Sequence, residues 1–370
     1  MVKQTSIVKQ KRESKAVSVA RERLEALFAE IPFVRIKNSK TDVRLGDTQV
    51  DLILSALISG KSARFIVEIK SQGEPRLVRV VVEQLKKYLQ GEEDVYGIIV
   101  APYLSEASRQ ICKESGIGCV DLAGNALISF QSIFIDKTGI PNRSAVPRVA
   151  KSLFFPKSSR VLRVLLAEPA RRWRVEEISK EAKISIGLAS RVKQALLDQE
   201  WISKENKRFF LADPEKALAA WAAKYSYTLN ESYSYYSGLK DEELASAIRM
   251  ECQKRGWEYG LALFTGARRV APFVTFPRFF AYVKGDSIVL AKSLQFKKVE
   301  SGANVTILTP YDDGVLYGLQ DVKGTQVVSN IQLYLDLKSY RGRGEEAAQF
   351  IFDERIKPEW QARAITRRKR

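Results

Sequence analysis

The chain is 370 residues long and 45% hydrophobic, enough for two or three packed domains and too apolar for general disorder. Its 61 lysines and arginines face 43 acids, and the net charge of +18 is the mark of a polyanionic partner, most often nucleic acid. Histidine is absent, which excludes Ser/His/Asp and Cys/His catalysis and every imidazole-bound zinc.

Taken in chain order, residues 1–148 read as an α/β unit. A polar, basic arm leads into a helix over residues 16–30, with Val19, Leu24, Leu27 and Phe28 near helical spacing. Strands are expected at 49–57, 63–70, 95–101 and, as a pair, across 126–137, with helices at 77–89 and 105–114 between them. Such alternation implies a sheet flanked by helices. Residues 138–148, with two prolines and a glycine, read as a linker. Residues 149–213 are shorter and more basic. Their order is helix (159–167), short strand (173–175), helix (176–182), turn, helix (185–199) and a strand pair over 201–212, the order of a winged helix-turn-helix. Residues 214–370 form a mixed α+β segment with strands at FFAYVKG and SIVLA, helices near 330–340 and 344–352, and a basic tail Arg367–Arg370.

The sharpest chemistry lies in the first segment. Asp51 opens one strand, and Glu68-Ile69-Lys70 closes the next. Period-2 geometry puts Glu68 and Lys70 on one face, with Phe65, Val67 and Ile69 packing on the other. Asp51 and Glu68 on neighbouring strands form a hard-oxygen set for Mg²⁺, and Lys70 beside them can orient the attacking water and offset phosphate charge. This pattern and the order of elements around it resemble the PD-(D/E)xK nucleases, the restriction-endonuclease-like fold. The following helix carries Gln84-Leu85-Lys86-Lys87-Tyr88, similar to the QxxxY element of RecB-like members. The resemblance implies that Gln84 supports the catalytic set Asp51, Glu68 and Lys70, and that Tyr88 points toward DNA. The proline that often precedes the first aspartate is replaced by Val50. The bland reading is a solvated Glu68–Lys70 pair beside an ordinary helix face.

In the second segment, Val175, Ile178 and Ala182 form the stripe of the supporting helix. Ser185 fits as N-cap of the next helix, whose buried face would use Leu188, Val192, Ala195 and Leu196. Its outward face offers Gly187, Ser190, Arg191 and Gln194 to a major groove, and the wing tip offers Lys204, Lys207 and Arg208 to phosphates. Winged helices also serve as protein-interaction modules, and hairpin lysines are commonly just solvated.

In the third segment Thr265-Gly266-Ala267, FFAYVKG, SGANVTILTPYDDGVLYG and NIQLYLDLKSYRGRGEEAAQFI resemble the AbiEi-type antitoxins, transcriptional regulators of type IV toxin–antitoxin systems. SIGLASRVKQALLDQEWI and CVDLAGNALISF are similar to the same family, the latter to its longer members. Residues 332–348 and 121–126 carry the resemblance most specifically. It implies a double-stranded-DNA-binding autorepressor that counteracts a nucleotidyltransferase-type toxin without a stable complex. An ordinary member begins at its winged helix, whereas this chain places the nuclease-like segment in front. The third segment is not expected to act as a nucleotidyltransferase, because Thr265-Gly266 is followed by Arg268 and Arg269 rather than paired aspartates, and Asp312 and Asp313 would point to opposite sides of a strand.

Three readings follow: a DNA-binding regulator, a Mg²⁺-dependent endonuclease aimed by the winged helix, and an interaction protein working through its third segment. Mg²⁺ is expected only if the first segment cleaves. Cys112, Cys119 and Cys252 form no CxxC pair, no apolar run reaches membrane-spanning length, and the first residues lack a signal-peptide core. The expectation is a soluble, cytoplasmic protein with no membrane partner.

Overall fold

The computed structural model describes residues 2–45, 48–141, 153–272 and 276–368, and within those limits the side chains of 15–363. Most of the expected linker and the side chains of the basic tail lie outside the described residues. The chain is a mixed α/β protein of two compact units, Met1–Arg148 and Val149–Arg370.

The first unit opens with α1 (Val2–Ala29), followed by β1 (Val34–Leu45), β2 (Thr48–Ile58), β3 (Lys61–Ile69), α2 (Pro75–Leu89), β4 (Val95–Ala101), α3 (Glu106–Glu114), β5 (Gly118–Asp121), β6 (Ala126–Phe130) and β7 (Ile133–Lys137). The seven strands lie in sequence order in one sheet. β3, β4 and β5 run parallel through the crossover helices α2 and α3, and antiparallel strands flank them on both sides. Alternation along β3 divides the core. Phe65 and Val67 pack with Leu24, Leu27 and Phe28 of α1 on one face. On the other, Ile66 joins Val78, Val81 and Leu85 of α2. Val19, expected inside, is exposed, and Ala20 takes the buried position. β1 was not anticipated, because its polar, charged residues are mostly solvent-facing and show little apolar alternation. Lysine-rich strands of that kind are suited to a sheet edge.

The second unit begins with α4 (Pro156–Ala167), α5 (Val175–Glu181) and α6 (Ile186–Asp198), then the hairpin β8 (Ile202–Glu205) and β9 (Arg208–Leu211). Trp173 makes an antiparallel bridge to Phe209, through amide–carbonyl bonds of 2.7 and 2.9 Å. After α7 (Pro214–Ala222) comes a mixed seven-stranded sheet of non-sequential strand order, built from β10 (Glu231–Tyr236), β11 (Glu258–Leu261), β12 (Phe279–Lys284), β13 (Lys297–Lys298), β14 (Val305–Thr309), β15 (Gln320–Val322) and β16 (Thr325–Val327). It is packed by α8 (Asp241–Arg255), α9 (Leu263–Val270), α10 (Ser287–Ser293), α11 (Asn330–Lys338), α12 (Gly344–Ile351) and α13 (Lys357–Arg368). One apolar core runs from Leu153 through Trp173 and Leu335 to Trp360, so packing does not break at residue 213. SIVLA, expected as a strand, is the helix α10. Its start is fixed by Asp286, whose carboxylate accepts the amides of Ile288 and Val289. Asp312 and Asp313 open a 3₁₀ turn rather than lying on a strand.

Candidate functional site

In the first unit the expected acidic set converges. Asp51 projects from β2, Glu68 from the end of β3, and Lys70 follows that strand, its amide bonded to the Val100 carbonyl at 2.8 Å. The Lys70 ammonium lies 2.5 Å from Glu68 Oε2 and 3.7 Å from Asp51 Oδ2. Asp51 Oδ2 also accepts the Ile69 amide at 2.6 Å, which clamps the two strand ends together. Glu68 is only 2% exposed, and Gln84 of α2 donates to its second oxygen at 3.1 Å. The same amide reaches the Tyr88 hydroxyl at 3.4 Å, one turn along the helix. Burial pushes the Glu68 carboxyl above its usual range, Lys70 pulls it back, and the Asp51 charge pushes it further up.

Asp51 and Lys70 face a cleft of about 1,120 Å³ walled by Ala16, Val17, Ser18 and Arg21 of α1. Sequence reasoning missed two residues on its rim. Arg21 belongs to the helix read only as packing. Asp42 belongs to the unanticipated β1, where it lies between the pairs Thr41–Leu52 and Val43–Val50, across from Asp51, with left-handed φ of 54°. Aspartate tolerates that backbone better than most residues. Among the described residues no three acids, cysteines or histidines form a metal-holding group.

In the second unit Ser185 caps α6 by accepting the Leu188 amide. Ala189, Val192, Ala195 and Leu196 are buried, with Leu188 half-buried beside them. Gly187, Ser190, Arg191 and Gln194 are exposed, as are Lys204 and Lys207 on the hairpin. Two expected contacts carry other bonds. Gln194 donates to Asp198 at 2.8 Å, and Arg208 donates to the Arg172 carbonyl at 2.9 Å and to Glu177 at 3.3 Å. Arg208 thus ties β9 to α5. Neither link was visible in a reading of one helix face or one hairpin at a time.

Sequence reasoning also passed over a buried polar network. Asp336 of α11 is fully buried and accepts at one oxygen from Tyr225 (2.7 Å), Tyr282 (3.0 Å) and Gln332 (2.7 Å). Gln332 in turn accepts from buried Arg163 of α4. Burial pushes the Asp336 carboxyl up to about 7, against the hydrogen bonds and the Arg163 charge.

Residues 210–357 match the model of a family described as a transcriptional regulator, the AbiEi antitoxin of a type IV toxin–antitoxin system. The match takes in α11 and the Gln332–Asp336 pair and covers less than half of the chain. Residues 121–126 and the α6 region, which resembled the same family, lie outside it. No curated protein matches. Among solved structures, EndoMS in its apo form shares 21% identity over 28% of this chain and 45% of its own length, at a TM-score of 0.21. A repair endonuclease from Pyrococcus abyssi shares 19% over 28% and 46%, at 0.20. The chain therefore spans less than half the length of those structures, and the likeness is slight.

Proposed function

We propose that this protein is a duplex-DNA-binding transcriptional regulator of the type IV antitoxin kind, with residues 149–213 as a winged helix-turn-helix reader. The observation that carries the reading is the solvent face of α6, where a Ser185-capped N-terminus presents Gly187, Ser190 and Arg191, together with the exposed hairpin lysines Lys204 and Lys207. The family match of the adjoining segment and the net charge of +18 support it. In this reading the small first turn lets α6 enter the major groove, Arg191 reaches base edges or phosphates, and the hairpin lysines grip the backbone. Gln194 exchanges its Asp198 bond for DNA, and Arg208 braces the wing. The protein acts in the cytoplasm against a nucleotidyltransferase-type toxin, without a stable complex. Anisotropy titrations of duplex DNA over a salt series test this. Arg191→Ala with Lys207→Ala is expected to weaken binding and to flatten the log–log salt slope by roughly 2, at about 0.9 per phosphate contact. Unchanged affinity and slope would overturn it.

The contacts of Lys70 favour a second reading, a Mg²⁺-dependent endonuclease aimed by the same reader. Asp51 and Glu68 already converge on one positive centre, and two carboxylates completed by water suit Mg²⁺. Those two residues would hold the ion, which when bound supplies Lewis-acid polarisation of a phosphodiester. Lys70 would orient the attacking water, Gln84 would fix Glu68, and Tyr88 would face the DNA. Incubation of supercoiled plasmid with Mg²⁺ or Mn²⁺ separates the two readings. Nicking that disappears in Lys70→Ala makes the first unit a nuclease, and binding without cutting leaves it as an accessory grip on DNA.

A further inference from the structure

Away from the DNA-facing surface, α4, the segment from Tyr317 to Ile331, and α13 enclose a cleft of about 250 Å³. Three features of its lining share one chemical preference. Arg163 lines it and is 3% exposed; its terminal nitrogens donate to Gln332 and, at 3.4 Å, to Tyr311, while its buried Nε has no acceptor. The guanidinium also lies 4.8 Å from the centroid of the Trp221 ring, so what Arg163 brings to the cleft wall is a buried positive charge, which favours an anion there. The N-terminus of α11 opens into the same cleft through Ser329, Asn330 and Ile331. Ser329 caps the Gln332 amide, and the first-turn amides of Asn330 and Ile331 have no acceptor within the helix. At the rim Arg363 is held by Glu359 at 2.5 Å and donates to the Ala167 carbonyl at 2.7 Å, with Glu168 4.0 Å away. Two guanidinium groups therefore line the cleft against the single carboxylate of Glu359.

We propose that this cleft binds a small organic oxyanion, a carboxylate or phosphate monoester of few heavy atoms. Its head group lies on Arg163 and the α11 amides, and its body lies against Leu166 and Trp360. The volume falls just below the usual range of ligand pockets, about 300 to 1,000 Å³, which suits a ligand of few heavy atoms. The site goes beyond DNA binding and stands without it, since no residue of the DNA-facing surface lines it. α4 packs against both α6 and α11, so the occupant touches the helix that these two share.

The test uses the full chain with ¹⁵N-labelled tryptophan indoles, titrated at fixed ionic strength with inorganic phosphate and, separately, with acetate. Trp360→Phe assigns the resonance. The expected result is saturable movement of the Trp360 signal with one of the two anions, its affinity about tenfold weaker in Arg363→Gln. Which anion acts identifies the head group. No saturable movement with either anion, or equal affinity in Arg363→Gln, overturns the proposal. Arg163→Gln is expected to abolish binding, and its result counts only if its melting remains cooperative. Arg363 sits exposed near the chain's end, so the rim variant carries the test by itself.

Discussion

Asp336 sits at the centre of the second unit with one carboxylate oxygen crowded by donors and the other, Oδ2, without a partner. Its acidity, moved from 3.8 to about 7, fixes the sign of a pH dependence. The folded state keeps a proton that the unfolded state loses from about pH 4 upward, so this group's contribution falls as pH rises through that window to 7. Asp336→Asn should remove the decline, which urea unfolding of the second unit at pH 5 and pH 8 would register; an unchanged difference contradicts the assignment. A second residue-scale expectation concerns Gln84. Gln84→Ala leaves a buried Glu68 oxygen without its amide donor, at a cost of about 1–3 kcal/mol to the first unit. Chemical denaturation measures it, and a loss under a few tenths would mean that water replaces the amide. Strand alternation put Glu68 and Lys70 on one face, whereas Gln84 and Tyr88 were singled out only by their resemblance to the QxxxY element, one helical turn apart. The Glu177 partner of Arg208 and the network of Asp336 were not legible in the sequence, because they join residues 31 and 111 apart.

Elements were read well where apolar pattern dominates. β4, buried at every position, matches its expected span, and α6 begins after its Ser185 cap as anticipated. β1 and α10 escaped for opposite reasons. β1 has too little apolar alternation to be seen, and α10 is an apolar run too short for its period to distinguish helix from strand. What decides α10 is the cap. Asp286→Ala should cost about 1 kcal/mol, readable as a lower melting temperature of the second unit. Ser185→Ala should cost a similar amount and also weaken DNA binding, whereas Asp286→Ala should leave it unchanged.

At the scale of the whole molecule, the packing makes fragments informative. The first unit has its own two-faced core and should unfold cooperatively as residues 1–148. Residues 149–213 alone should not, because Leu162, Leu165 and Trp173 belong to one cluster with Leu335 and Trp360. Near-ultraviolet dichroism and melting of the fragments 1–148, 149–213 and 149–370 would check both statements. A sharp transition in the 149–213 fragment would show that the three helices and hairpin need nothing C-terminal to them. Among the described residues no helix is long and apolar enough to cross a membrane.

The order of strands carries a consequence for time as well as for shape. In the first unit each strand pairs with its neighbour in the chain, so every partner is at hand soon after it is made. In the second, β10 lies between β13 and β14, β11 between β12 and β16, and the Trp360 indole donates to the carbonyl of Leu166, 194 residues earlier. Low contact order speeds folding and high contact order slows it. Refolding from denaturant should therefore show two phases, the faster one present in the 1–148 fragment. On the ribosome the first sheet is complete while the second unit still waits for Trp360, and through that interval its apolar surface stays open to aggregation.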